Sequence, residues 1–179
     1  MGSPFPDFTY GIVNTFNYRN FDLSIVGSGS QGNELLMRHL YSTANLDGVF
    51  NLVERVGDRW RSEENPGAGI FGTTVGGGNV TGVERDWMNS HFVFDASYFS
   101  IKNITLGYTF GAINKFWNSA RFYASAQNVY VFTPYWGGSN PETSGQSNGQ
   151  GDGGNLSQGV DYSNYPVPRT VSVGFNLNF

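Results

Sequence analysis

The sequence predicts an all-β fold: an antiparallel transmembrane β-barrel fragment of about five strands, with long extracellular loops containing short helices. Three observations predict it. The last eleven residues, RTVSVGFNLNF, alternate without a break: Val171, Val173, Phe175, Leu177 and Phe179 on one face, Thr170, Ser172, Gly174, Asn176 and Asn178 on the other. Strand-like segments are joined by connections that run short, long, short, long, as outer-membrane barrels are wired. Aromatics make up 16% of the chain and charged residues only 13%, with 25 Gly among 179 residues, a balance that suits strands and loops and not helices.

Taken in order, residues 8–18 (FTYGIVNTFNY) place Phe8, Tyr10, Ile12, Phe16 and Tyr18 in one phase, with Asn14 as the exception. Residues 20–28 alternate Phe21, Leu23 and Ile25 with Asp22 and Ser24, after a tight turn near Tyr18–Asn20. Residues 29–93 form a long loop. Within it, ELLMRHLY (34–41) follows Asn33, a good N-cap, and FNLVERVGDRW (50–60) spaces Leu52, Val56 and Trp60 as a helix would. In the strand at 97–110, Ile104, Leu106, Tyr108 and Phe110 share a face with Lys102, and the apolar phase switches near Ile101. After the short GAINKFWNS comes the strand at 120–132, with Phe122, Ala124, Ala126, Tyr130 and Phe132 in phase. A second long loop, 133–168, leads to the final strand, 169–179. Eleven residues at about 3.3 Å each, tilted by about 40°, rise roughly 28 Å, close to the apolar band of a transmembrane barrel.

Composition narrows the function. Net charge is −4 and only two Lys occur, so there is no basic stripe for nucleic acid. Without Cys, thiolate zinc sites and Cys nucleophiles are excluded. No stretch of 18 apolar residues could form a transmembrane helix. The slightly negative mean hydropathy, −0.32, does not exclude a membrane, because barrel strands alternate lipid-facing and lumen-facing residues. The N-terminus shows no basic region followed by an apolar core, so no signal peptide is visible and a missing N-terminal part is expected.

Catalytic and metal chemistry find little support. His39 and His91 are far apart, without a recognisable metal partner. The glycines at Gly76–Gly78 and Gly137–Gly138 lack the strand–loop–helix setting of a phosphate site, and GGSNPE and GQGDGG do not repeat at a fixed calcium-loop period. No nucleophile, base and orienter can be assembled, so no enzyme and no cofactor is expected. Aromatics in the loops are the better candidates. Tyr135 with Trp136 leads for ligand or lid contact, with Trp87 and Trp60, and with Asn140 and Asp161 as hydrogen-bonding groups. The blander reading is that these Trp pack the loops together or join an aromatic girdle, as expected for Trp117.

The residues also resemble a known family. SPFPDFTYG followed by NYRNFDLSI is similar to late barrel strands of SusC/RagA-type TonB-dependent transporters, and RVGDRWRSEENPGAG to a loop element there. SYFSIKNITLGYTF, ARFYASAQNVYVFTPYWGGSNPE and DYSNYPVPRTVSVGFNLNF resemble the following strands and the terminal strand. The resemblance covers nearly the whole chain, in order. It implies an outer-membrane active transporter, typically of Bacteroidetes, that imports oligosaccharides or peptides with energy delivered by TonB. It further implies a SusD-like surface lipoprotein as lid, and barrel assembly machinery that reads Val171, Val173, Phe175, Leu177 and the terminal Phe179. A full member has an N-terminal extension, a TonB box, a plug domain and about 22 strands. Five strands cannot close a barrel, since single chains start at about eight, so the chain is expected to work only with the remainder of the barrel and plug. The competing reading is a soluble β-sandwich carbohydrate-binding module, which would bury one face of each strand in a shared core and charge the other.

Overall fold

The computed structural model describes residues 2–44, 46, 50–68, 90–111, 118–138, 140–142 and 158–178. The chain forms two compact units: residues 5–33, 95–141 and 165–179 make one, and residues 1–4, 34–94 and 142–164 the other.

The first unit is a single antiparallel sheet. Its strands are β1 (Phe8–Tyr18) and β2 (Phe21–Gln31), then β5 (Tyr98–Phe110), β6 (Ser119–Phe132) and β8 (Thr170–Asn178), hydrogen-bonded in the order β1-β2-β5-β6-β8. The sequence places these strands at 8–18, 20–28, 97–110, 120–132 and 169–179. The largest difference is in β2, which continues to Gln31 because Phe8 and Thr9 of β1 extend the ladder to Gln31 and Ser30. The β1–β2 turn has only two residues between paired Tyr18 and Phe21, and Arg19 takes a left-handed φ of 52°. Asn20 secures it, its amide donating to the Thr109 carbonyl at 2.6 Å.

Register carries one face across all five strands. Tyr18, Phe21, Tyr108, Phe122 and Phe175 stand in one row; Phe16, Leu23, Leu106, Ala124 and Val173 in the next; Asn14, Ile25, Ile104, Ala126 and Val171 in the third. At Lys102 the register steps: Val26 pairs with Asn103 but Gly27 with Ile101, and Ile101 in turn with Tyr130. This β-bulge is the physical cause of the phase switch near Ile101, and it takes Lys102 out of the phase of Ile104 and Leu106.

The second unit holds a small sheet in the order β4-β3-β7, from β3 (Glu34–Met37), β4 (Val93–Asp95) and β7 (Val160–Asp161). Here the helical reading of 34–41 fails in its first half. Leu36 N–H donates to the Gly159 carbonyl (2.7 Å) and Arg38 N–H to that of Asp161 (3.0 Å), so parallel pairing with β7 overrides local propensity. In its second half the segment turns helical, with α1 spanning Leu40–Thr43. Residues 50–60 contain a single 3-10 turn, Glu54–Asp58; it buries Val56 while Leu52 and Trp60 stay exposed, so the three do not make one buried stripe. Leu35, Met37, Leu40 and Val56 are buried within this unit.

Candidate functional site

The face of the sheet that carries the rows above is apolar and uncovered. Val171 is 78% exposed and Val173 71%, with Phe16, Phe21, Leu106, Phe122 and Phe175 exposed beside them. A β-sandwich would bury this face under a second sheet; the long-strand sheet has no such partner among the described residues. Aromatic rings border the aliphatic band at both ends. At one end Phe21 meets Tyr108 edge-on at 4.7 Å and Tyr108 meets Phe110 at 4.7 Å. At the other, Tyr10 stacks beside Phe99 at 6.1 Å, Phe99 beside Phe132 at 6.2 Å, and Tyr130 packs on Phe132 at 4.6 Å. Tyr10 lies across Gly29, where a Cβ would come 2.3 Å from its ring, so the belt is seated on bare backbone. From Tyr10 to Tyr18 the strand rises about 20 Å, taking roughly 3.3 Å per residue and a tilt near 40°.

The opposite face is mainly polar, with Val13 and Val26 as its apolar members in the row of Asn103 and Gln127. Thr15, Ser24, Thr105, Ser125 and Ser172 form a hydroxyl row, and Asn103 and Gln127 pair above it. In the paired rows its charged side chains are Asp22 and Arg121. Arg121 Nε donates to Asp22 Oδ1 at 3.0 Å and its Nη2 to Oδ2, a bidentate pair that reaches from β6 to β2 across β5. The strand between must carry no side chain there. Gly107 meets that need, since a Cβ on it would lie 2.4 Å from Oδ1 and 2.5 Å from Nη2. Arg121 also sits 5.2 Å from the Tyr123 ring centre.

Where β2 and β6 end, a buried polar knot gathers the chain. Ser30 Oγ donates to Asn33 Oδ1 (2.9 Å), Asn33 Nδ2 to the Ala96 carbonyl (3.3 Å), and Gly32 N–H to Ser97 Oγ (3.0 Å). Thr133 Oγ1 donates to the Ser97 carbonyl and accepts from Tyr135 N–H at 3.1 Å. Asn33 thus ties loops together and does not cap a helix. Tyr135, whose N–H joins the knot, is 4% exposed, and Asp161 is 1% exposed in the other unit, its Oδ1 accepting from Ser163 N–H. Tyr135 and Asp161 are thus both buried in this conformation. Trp136 and Asn140 are half-buried, Trp60 is 39% exposed, and Trp87, Trp117 and Phe179 lie outside the described residues. Of the terminal strand, Val171, Val173, Phe175 and Leu177 point to the apolar face. Among the described residues no group of three or more His, Asp or Glu could hold a metal ion.

An uncovered apolar band between two aromatic belts, backed by a polar wall, is the surface pattern of a transmembrane barrel strand set. Known proteins agree. TonB-dependent receptor P26 of Formosa agariphila is 34% identical over all of this chain, and TonB-dependent receptor P3 of the same organism 31%. TonB-dependent receptor SusC of Bacteroides thetaiotaomicron is 26% identical over 98% of it. The chain aligns end to end with TonB-dependent receptors of the SusC type. It spans under a fifth of their length, 18% of P26 and 15% of SusC. In solved structures, the RagAB peptide transporter matches 99% of the chain with a TM-score of 0.74 at 21% identity, the chain covering 18% of it. The RagAB peptide importer in its open-open state gives 0.71 over 97%. No family model matches. The fold of this chain is therefore an antiparallel barrel fragment, and the relatives named above are TonB-dependent receptors, not enzymes.

Two features of the segment escaped sequence reasoning. Asp22 and Arg121 are 99 residues apart, and the one local trace of their contact is Gly107 on the polar phase of an otherwise filled strand. The polar knot left no periodic trace at all.

Proposed function

We propose that this segment is the C-terminal barrel portion of an outer-membrane TonB-dependent transporter that imports nutrients such as oligosaccharides or peptides. The observation that carries the reading is the uncovered, mainly apolar band between two aromatic belts. Lipid meets that face and the transport lumen meets the hydroxyl row and the Asp22–Arg121 pair. In this reading the short connections after β1 and after β5 are periplasmic, and the long loops, 29–93 and 133–168, are extracellular. There Trp136, Asn140, Trp60 and Trp87 are the residues offered to substrate or to a SusD-like surface lipoprotein. Energy comes from TonB through the rest of the receptor, and assembly machinery reads the terminal strand ending on Phe179. Deleting Phe179 from the whole receptor is expected to lower the amount inserted.

The test is the size and location of the native protein. An antibody to residues 137–160 is used on soluble and outer-membrane fractions, with and without boiling. A heat-modifiable membrane band several times heavier than the 19.7 kDa of this chain is expected. A soluble folded species of that mass would overturn the proposal.

A further inference from the structure

The second unit contains a cavity of about 170 Å³ beside the β3–β7 pair, which the transport reading does not use. Pro4, Leu36, Val93 and Val160 make its walls mainly apolar, and Glu34 and Gln158 supply the polar part of the lining. Among the described residues the Glu34 carboxylate has one hydrogen-bond partner, the Ser3 backbone N–H, 3.1 Å from Oε2, and no cationic side chain pairs with it. A carboxylate offers about four acceptor sites. That bond is solvent-exposed, so the remaining acceptor sites of this half-buried carboxylate are open to water or to a cationic guest.

We propose that this cavity is a binding site for a small organic cation: a compact hydrocarbon group bearing one protonated amine. The walls fix the apolar part. A volume of this order holds a benzene-sized guest, so a branched or cyclic group of about five to seven carbons fits here, entering from the cavity's open side. Glu34 fixes the charge, taking the ammonium in a charge-assisted hydrogen bond at the polar end. Gln158 contributes its carboxamide oxygen to a second N–H. The same chemistry recognises a free amine or the amine-bearing end of a larger ligand.

Isopentylammonium is the probe and isopentanol its neutral counterpart, titrated at pH 7 into the purified whole receptor in detergent micelles by calorimetry. Saturable binding of the amine is expected, at least tenfold tighter than the alcohol. Glu34→Gln should remove that preference, weakening the amine about tenfold or more and leaving the alcohol unchanged, since hydrogen bonds to charged groups contribute about 1.5–3 kcal/mol. Val93→Phe should abolish binding of both by filling the walls. Equal affinity for amine and alcohol in the unaltered receptor, or unchanged amine binding in Glu34→Gln, overturns the site, as does no saturation up to about 10 mM, an affinity already worth under 4.1 kcal/mol. Because the wild-type comparison needs no variant, a misfolded substitution does not spare the proposal. Receptor location is read separately by fractionation, so this site can fail while the transport reading stands.

Discussion

Lysine substitutions along β8 separate the two faces of the sheet within one strand. Val171 lies in the middle row with Ile25, Ile104 and Ala126, midway between the Tyr10 and Tyr18 rows. It is 78% exposed, so in a membrane its side chain meets lipid and not protein. Ser172 faces the hydroxyl row, and Phe175 stands in the lower aromatic row. A cation at the bilayer midplane of a barrel costs about 2–4 kcal/mol, against about 0–1 kcal/mol near the interface. Val171→Lys is therefore expected to lower the folding equilibrium roughly 30- to 1,000-fold, since 1.4 kcal/mol is tenfold. Phe175→Lys should cost less than Val171→Lys in charge transfer, and Ser172→Lys least of the three. The assay is guanidinium unfolding of the whole receptor in phosphatidylcholine vesicles, followed by tryptophan fluorescence. If Ser172→Lys costs as much as Val171→Lys, the assignment of lipid and lumen faces is wrong.

Other perturbations test the contacts that join the strands. Arg121→Met should destabilise the receptor by about 1 kcal/mol, because the Asp22–Arg121 pair is half-exposed. Adding Asp22→Asn should then cost less than it does alone, a coupling read by a double-mutant cycle. Gly29→Val should cost about 1–3 kcal/mol through overlap with the Tyr10 ring, and Tyr10→Ala in the same chain should relieve part of it, both measured as unfolding midpoints. Asn33→Ala should cost about 1–3 kcal/mol by leaving Ser30 and the Ala96 carbonyl short of a partner. Protease sensitivity after Phe132 should rise with it, since the knot also holds Thr133 and Tyr135.

Much of the sheet was legible because its signal is local. On β8 each residue's face follows from parity alone, so Val171 through Leu177 could be assigned before any neighbour was known. The same logic read Phe122, Ala124, Ala126, Tyr130 and Phe132 as one face. It failed where the decisive partner is remote. Residues 34–37 look helical until Gly159 and Asp161 arrive to pair with them, about 125 residues later. Tyr135 looks like an exposed loop aromatic because the sequence around it does not show that Thr133 will be tied to Ser97, 36 residues away. Exposure of a loop side chain depends on the fold of the loop, and composition alone does not encode that.

The register step at Lys102 has a consequence for how such a chain tolerates change in length. Between the last regular pairs below it and the first above, the path advances one residue on β2, two on β5 and three on β6. Asn128, with a left-handed φ of 52°, lies within that longer path. Above the step, Tyr130 and Phe132 still point to the apolar side because the count of intervening residues keeps their parity. Losing one residue at Asn128 would carry both rings to the polar face and bring Val131 to the apolar one. A single-codon deletion there acts as an inversion of sidedness for the residues beyond it.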